Sequence, residues 1–432
     1  MPNNAEAIVA SAGGALVSTL PSIGLGFATS ADPAFADRLR GNNRVTEVGV
    51  EPRYQLPETA TGPRVTPDAS PLDSEPLLWD LQWNIRRVHA PEAWDTTTGS
   101  HDTVVAVIDT GVAWNHPDLN VNVVHADCFS TAAWEELVGE CSAYPDLHWH
   151  GTHVAATVAG QGAFVAGVGP DLGIASYNVF ELMEIEGQYA VLASFESIAA
   201  AMLDAVERGY DVINMSLGAF IDMSDGRDAA ATWTAVQRVG REVARQGVTT
   251  IVSAGNAAFS LNGRVMSVPG GAAANTNVAA TGIRPEPVYP HPDAHDVLAF
   301  YSNWGASVEI AAPGGDCGLP DDCDPDTRPD NWFEFLVLSA AVFYNGVPLM
   351  VTDPDEIPDC VEEESCAPGF LFAAGTSMAA PHVSGVAGLV RDQYPHLNAN
   401  QVATRLTRTA ESLGDRQLFG HGMVDAHAAV TR

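Results

Sequence analysis

From Trp79 onward the chain alternates short apolar runs with longer stretches of helical periodicity. Thr103–Ile108 reads TVVAVI, a β-branched run without polar positions, the pattern of a strand covered on both faces. Similar runs recur at Val212–Met215, Val248–Val252, Asn277–Thr281 and Val308–Ala311. Between them, Phe195, Ile198, Ala199, Met202, Leu203 and Val206 follow helical spacing, with Gly209 just beyond as a stop. A second helix is expected over Thr232–Arg245, ending at Gly247. This alternation predicts an α/β fold for residues 79–432: one doubly wound domain with a mostly parallel sheet and flanking helices. Asp316–Phe372 is acidic, shows neither period and holds four cysteines, so it is expected to be a loop insertion. Residues 1–56 instead give strands at Ala15–Leu20 and Ile23–Thr29, a short helix at Pro33–Leu39 and a last strand at Val45–Leu56, a small α/β unit of its own. Residues 57–78 contain five prolines and few large apolar side chains, the composition of a linker.

Charge narrows the partners. Fifty-four acidic residues face twenty basic ones, all arginine, for a net charge of −34. Such a surface repels nucleic acid and anionic membranes, and no apolar run of membrane-spanning length is present. Acid-rich, lysine-free surfaces suit salty water, and base-composition drift toward Ala, Gly and Arg explains the same bias equally well. Six cysteines fall into neighbouring pairs without CxxC spacing: Cys128 with Cys141, Cys317 with Cys323, Cys360 with Cys366. Disulfides between neighbours are expected, and with them an oxidising, extracellular location. The first twenty residues lack the basic start of a signal peptide, so export would need a segment not seen in this sequence.

Candidate chemistry collects where buried runs end. VAVIDTGV puts Asp109 at the C-terminal end of the first strand, the edge where parallel sheets gather catalytic groups. In HWHGTHVAATVAG, His150 opens a stretch of small residues suited to a buried helix. Three histidines also invite a metal, but the spacing is i, i+3 without the glutamate of HExxH. In GTSMAAPHVSGVAGLV, Ser377 opens another small-residue helix, whose positive end favours developing negative charge. Alone it reads as a helix cap; an Asp, a His and a Ser, each at a junction in that order, read as a nucleophilic triad. Asn256 in TIVSAGNAA ends a further strand and carries an amide able to bind an oxyanion.

Four blocks, VAVIDTGV, HGTHVA, NMSLGA with SAGN, and GTSMAAPHVSG, make the chain resemble the subtilisin family of serine proteases from about Trp79 to the C-terminus. The resemblance implies a serine endopeptidase with Ser377 as nucleophile, His150 as general base and Asp109 as its orienting carboxylate. It implies an oxyanion hole from Asn256 and the Ser377 N–H. A substrate-pairing edge follows at Ser216, Leu217 and Gly218, with a facing pocket wall at Ser253, Ala254 and Gly255. Ala257 stands where many relatives carry an acid, so apolar or aromatic residues are expected before the scissile bond. Residues 1–56 resemble the family's inhibitory propeptide without its first strand and part of its first helix, implying a shortened N-terminus and an internal partner for the cleft. No cofactor is expected for catalysis. Structural calcium is a candidate: Asp118 in HPDL matches a family ligand, but Gln161–Ala166 is shorter than the usual calcium loop and lacks its Asn. Protein and peptide substrates and a monomer are expected. An α/β-hydrolase lipase is disfavoured, because Gly375-Thr376-Ser377-Met378-Ala379 is not GxSxG and the histidine precedes the serine.

Overall fold

The computed structural model describes residues 4–56, 60–67, 76–138, 141–144, 147–283, 296–318, 323–360 and 366–432. The five expected buried runs join three further strands in one eight-stranded sheet. Its order is Asp296–Leu298, Asn275–Ile283, Thr249–Ser253, Val212–Met215, Val104–Asp109, Gly173–Asn178, Val123–Cys128, with Ile310–Pro313 also on Asn275–Ile283. Every pairing is parallel except that of Asp296–Leu298. Val104–Asp109 has no exposed position, as its unbroken apolar pattern requires. The chain lays down strands on one side of Val104–Asp109 and then crosses to the other. Asp109 therefore ends at a switch point of the sheet, where a crevice opens at the carboxyl ends.

Two helices cross the sheet beneath that crevice. His150–Ala159 is buried along its whole length, and Thr376–Gln393 along all but its last turn. Their Gly, Ala, Ser and Val side chains let the backbones pack closely on each other and on the strands. Gly385 shows how closely: a Cβ there would lie 2.6 Å from Val168 Cβ. On the other face, Phe195–Glu207 matches the periodicity, with Ser194 accepting from Ser197 N–H as its N-cap. Arg227–Arg245 begins five residues before the expected start, because its first turn lacks the apolar positions that periodicity detects.

Three expectations need correction. The insertion is not a loop: Val337–Tyr344 and Cys366–Ala374 pair antiparallel over eight residues, with Val347–Pro348 beside them. VLSAAVFY is a buried strand sequence that its acidic flanks had masked in the composition. The linker is not structureless either, since Ala60–Val65 pairs with Cys366–Ala374 as the fourth strand of that sheet. The expected strand Val45–Leu56 shrinks to Arg53–Tyr54, which joins a hairpin of Phe180–Ile185 and Gln188–Ser194. Gly49 and Pro52 interrupt the ladder upstream of it.

Residues 4–56 form a small unit. The helix Ala5–Ser11 packs on the hairpin Ala15–Leu20 and Leu25–Thr29 and on the helix Phe35–Arg40. Among the described residues, Ile8, Val9, Ala12 and Leu39 make its buried core, too small to stabilise it alone. It leans instead on the main body. Phe27 meets Phe195 at 6.0 Å, Arg40 pairs with Asp228, and Thr232 Oγ1 donates to the Val50 carbonyl at 2.7 Å. Glu51 accepts the N–H of Glu196 at 2.8 Å, placing a carboxylate at the positive end of Phe195–Glu207. Among the described residues no helix is long and apolar enough to cross a membrane.

Candidate active site

Asp109 and His150 meet in a fully buried pair, His150 Nδ1 lying 2.7 Å from Asp109 Oδ1. The surrounding backbone fixes both. Thr110 N–H donates to the same Asp109 oxygen at 2.8 Å. Thr110 Oγ1 donates to the His148 carbonyl at 3.1 Å and accepts from Gly151 N–H at 2.9 Å. Gly151 must be glycine, because a Cβ there would sit 2.3 Å from the Gly111 carbonyl oxygen. The His150 N–H donates to His148 Nδ1 at 3.2 Å. Burial and the neighbouring His150 hold the His148 pKa well below the usual range, so its ring is neutral and can accept. His153 lies one turn on, with Nε2 3.1 Å from the Leu371 carbonyl and its pKa pushed down to about 3 by burial. It supports the helix rather than the Asp109–His150 pair.

Ser377 stands in the first turn of its helix, after Gly375 and Thr376. Ser216 Oγ donates to the Ser377 carbonyl at 2.8 Å. Behind it, Asn214 donates through Nδ2 to Ser216 Oγ at 3.1 Å and accepts through Oδ1 from Ser384 Oγ at 2.8 Å. These buried polar groups tie strand Val212–Met215 to the serine-bearing helix. Sequence reasoning passed over Asn214 and Ser384 although both lie inside the quoted blocks; a polar residue within a buried strand was the available signal. Asn256 accepts through Oδ1 from Thr376 N–H at 2.9 Å and Thr376 Oγ1 at 2.7 Å. That fixes its carboxamide against the serine turn and orients Nδ2 as the donor. His382, buried beneath, contacts the Met378 carbonyl through Nδ1 and Asn84 Nδ2 through Nε2, both at 2.8 Å.

The two expected pocket walls are brought together. Ser253 Oγ reaches the Leu217 carbonyl at 3.4 Å, and Ala254 receives a bond from Asn303 Nδ2 at 2.9 Å. Gly255 has φ of 97°, and a Cβ there would strike Asn303 Nδ2 at 2.7 Å and the Phe220 ring at 3.0 Å. Phe220 and Phe259, 5.0 Å apart, extend the apolar lining; neither was singled out from sequence. Across the opening Gly218 pairs with Gln55: Gln55 N–H donates to its carbonyl at 2.9 Å and Gly218 N–H returns the bond at 3.1 Å. Tyr54, next in line, is wholly buried against Phe195, and burial raises its pKa.

Asp118 does not fit a calcium ligand. Its oxygens accept from Phe164 N–H at 2.9 Å and Val165 N–H at 3.3 Å, so the short loop supplies donors where a cation needs oxygens. Another cluster, His125, Asp127 and Asp204, could hold a metal by its ligand spacing. There the Arg208 guanidinium already meets Asp204 at 2.6 Å and Asp127 at 3.5 Å, offsetting one of the two carboxylate charges. All three neighbouring cysteine pairs are bridged as expected.

The chain is similar to known proteins in sequence and in fold. Residues 100–422 match the profile of the subtilase family. Subtilisin BL of Lederbergia lenta is 29% identical over 353 residues, covering 81% of this chain and 98% of the relative. An alkaline protease of Alkalihalobacillus alcalophilus is 27% identical over 420 residues, covering 91% and 87%. Among solved structures, a protease of Pseudoalteromonas arctica is 28% identical with a TM-score of 0.60, covering 84% of this chain and 99% of the other. Fervidolysin of Fervidobacterium pennivorans shares the fold at 21% identity and a TM-score of 0.70, covering all of this chain and 60% of its own. With a profile spanning most of its length and its motifs at the crevice of the sheet, the chain belongs to the subtilase family of serine endopeptidases.

Proposed function

We propose that the chain hydrolyses peptide bonds through Ser377, His150 and Asp109, and that residues 1–56 are a propeptide docked as an inhibitor. The observation that carries this reading is the buried 2.7 Å Asp109–His150 contact at the sheet's switch point. Ser377 Oγ would attack the scissile carbonyl while His150 Nε2 takes its proton. Asp109 would keep Nδ1 protonated and stabilise the imidazolium, and His150 would return the proton to the leaving amine. Asn256 Nδ2 and the Ser377 N–H would receive the oxyanion. Water would then release the acyl group by the same route. The uncharged wall at Ala254, Gly255 and Ala257, with Phe220 and Phe259 beside it, favours apolar or aromatic residues before the scissile bond. Gln55, bonded to Gly218 as a substrate strand would be, supports the inhibitory role of the preceding residues. Three disulfides support export to an oxidising compartment. Structural calcium, if any is bound, would sit elsewhere than Asp118.

The test compares Ser377→Ala and Asn256→Ala with the parent in casein hydrolysis and fluorophosphonate labelling. Ser377→Ala is expected to abolish both and to leave the chain full length. Asn256→Ala should keep labelling and lose about 10²–10³ in kcat, since one of two oxyanion donors is gone. A tenth of parent activity remaining in Ser377→Ala would refute the triad.

A further inference from the structure

On either side of residues 57–59 the chain lies in two separate β-tracks. On one side Arg53–Tyr54 pairs with Ala193–Ser194, and Gln55 with Gly218. Two residues before Gly218, Ser216 holds the Ser377 carbonyl. On the other side Ala60 lies opposite Ala374, Thr61 opposite Ala373, Arg64 opposite Leu371 and Val65 opposite Phe370. Strand Cys366–Ala374 leads straight into Gly375, Thr376 and Ser377. Three residues of sequence separate Leu56 from Ala60. Residues 53–55 thus lie in one track and residues 60–65 in the other, the order in which an extended polypeptide substrate would fill them.

The second track is long, and its occupant is lightly held. None of the residues Ala60–Val65 is buried, whereas Phe370–Ala374 all are. Gly62 fits a narrow seat: a Cβ would come within 2.8 Å of Phe372 Cβ and 3.1 Å of Phe333 Cβ. Arg64 lies 4.4 Å over the Phe343 ring. Pro63 offers no N–H, so the pairing is interrupted where the register shifts. A cavity of about 190 Å³ remains between Arg64–Pro67 and the facing Pro117, Phe164 and Phe370.

We propose that the edge of Cys366–Ala374 is a docking track for about six substrate residues beyond the scissile bond, which Ala60–Val65 fills until a cut beyond Val65 removes it. This rests on the protease reading above. A cut between Leu56 and Ala60 alone would not open the track. The strand would stay tethered to Leu77 and Leu78, whose N–H groups bond the Ala163 and Phe164 carbonyls. So short a tether holds it at an effective concentration on the order of millimolar. The second cut is the same hydrolysis, made by another enzyme molecule: water adds across one amide to give a carboxylate and an amine. The substrate that fits is an extended polypeptide with a small residue at the Gly62 position and a cation at the Arg64 position. A net charge of −34 favours basic chains further.

The experiment uses mature enzyme obtained from the full chain. Its N-terminus is sequenced, and kcat/KM is measured on quenched peptides sharing one sequence before the scissile bond. One peptide stops two residues after that bond; another continues through Ala-Thr-Gly-Pro-Arg-Val in the register above; a third replaces the glycine by valine. The N-terminus should lie at Thr66 or beyond. The extension should raise kcat/KM about tenfold, and valine should remove the gain. Fully active enzyme that retains residues 60–65, or equal kcat/KM for all three peptides, would overturn the proposal. If no peptide were cut and fluorophosphonate failed to label, the triad itself would fall, and this proposal with it.

Discussion

Asp118 shows how one residue can keep a family's identity while changing its chemistry. The HPDL context matched a ligand position, yet the carboxylate faces amide N–H groups across a shortened loop. Burial pushes its pKa up to about 6, against the bonds from Phe164, Val165 and Ala163 that lower it. Because the folded value lies above the unfolded one, the protonated form favours folding. That contribution is complete below about pH 4 and is lost as pH rises through about 6. Asp118→Asn in the Ser377→Ala background, which does not digest itself, should remove this dependence. Relative to its parent, the variant should gain about 2–3 kcal/mol of stability between pH 4 and pH 7, read by urea denaturation at each pH. A constant difference across that range would mean the carboxylate titrates normally. Residues of this kind explain what the sequence hides. Asp109, His150, Ser377 and Asn256 were legible because the chemistry proposed for them needs those side-chain types at strand and helix ends. The partners of Asp118 are backbone amides, which leave no mark in residue type.

Several of the elements buried on both faces were legible, though Val337–Tyr344 and Gly173–Asn178 were not. Val104–Asp109, Val212–Met215 and Thr249–Ser253 have no exposed residue, and their short, β-branched, mainly apolar runs gave them away. Ala60–Val65 was invisible for the opposite reason: none of it is buried, and it exists because Cys366–Ala374 offers an edge. Gln188–Ser194 likewise carries mixed polarity, with Ala193 and Ser194 pairing Tyr54 and Arg53. The disulfides act at this scale as well. Cys128–Cys141 spans 13 residues between the Asp109 and His150 elements, and the other two bridges span 6 each. Loops this short restrict the unfolded chain by only about 2–3 kcal/mol apiece. Reducing the Ser377→Ala protein should therefore lower its melting temperature moderately while its sheet persists. New nicks by an added protease should fall within the freed loops, between residues 128 and 141, 317 and 323, or 360 and 366. Nicking first within the central sheet would show that the bridges hold the whole fold.

Charge is a property of the whole molecule. If every arginine were paired, 34 carboxylates would still lack a counter-charge, spread over 17530 Å² of surface. That is about one surplus charge per 500 Å², or roughly 23 Å between neighbours on the mean. The radius of gyration of a compact chain this long is about 22 Å. At 0.01 M salt the Debye length of about 30 Å exceeds both lengths, so each charge feels much of the molecule. At 0.1 M it is about 10 Å, and at 1 M about 3 Å, well below the mean spacing. Smooth self-repulsion therefore predicts that the melting temperature of the Ser377→Ala protein rises by several degrees between 0.01 and 0.1 M and then levels off. Calcium at matched ionic strength should raise it further only if carboxylates outside the Asp118 loop bind it. A surface adapted to brine predicts something else, a rise continuing to 1 M, where screening has nothing left to remove. A total shift below a few degrees would mean the acids are too evenly spread and too well hydrated to oppose folding, leaving base-composition drift as their explanation.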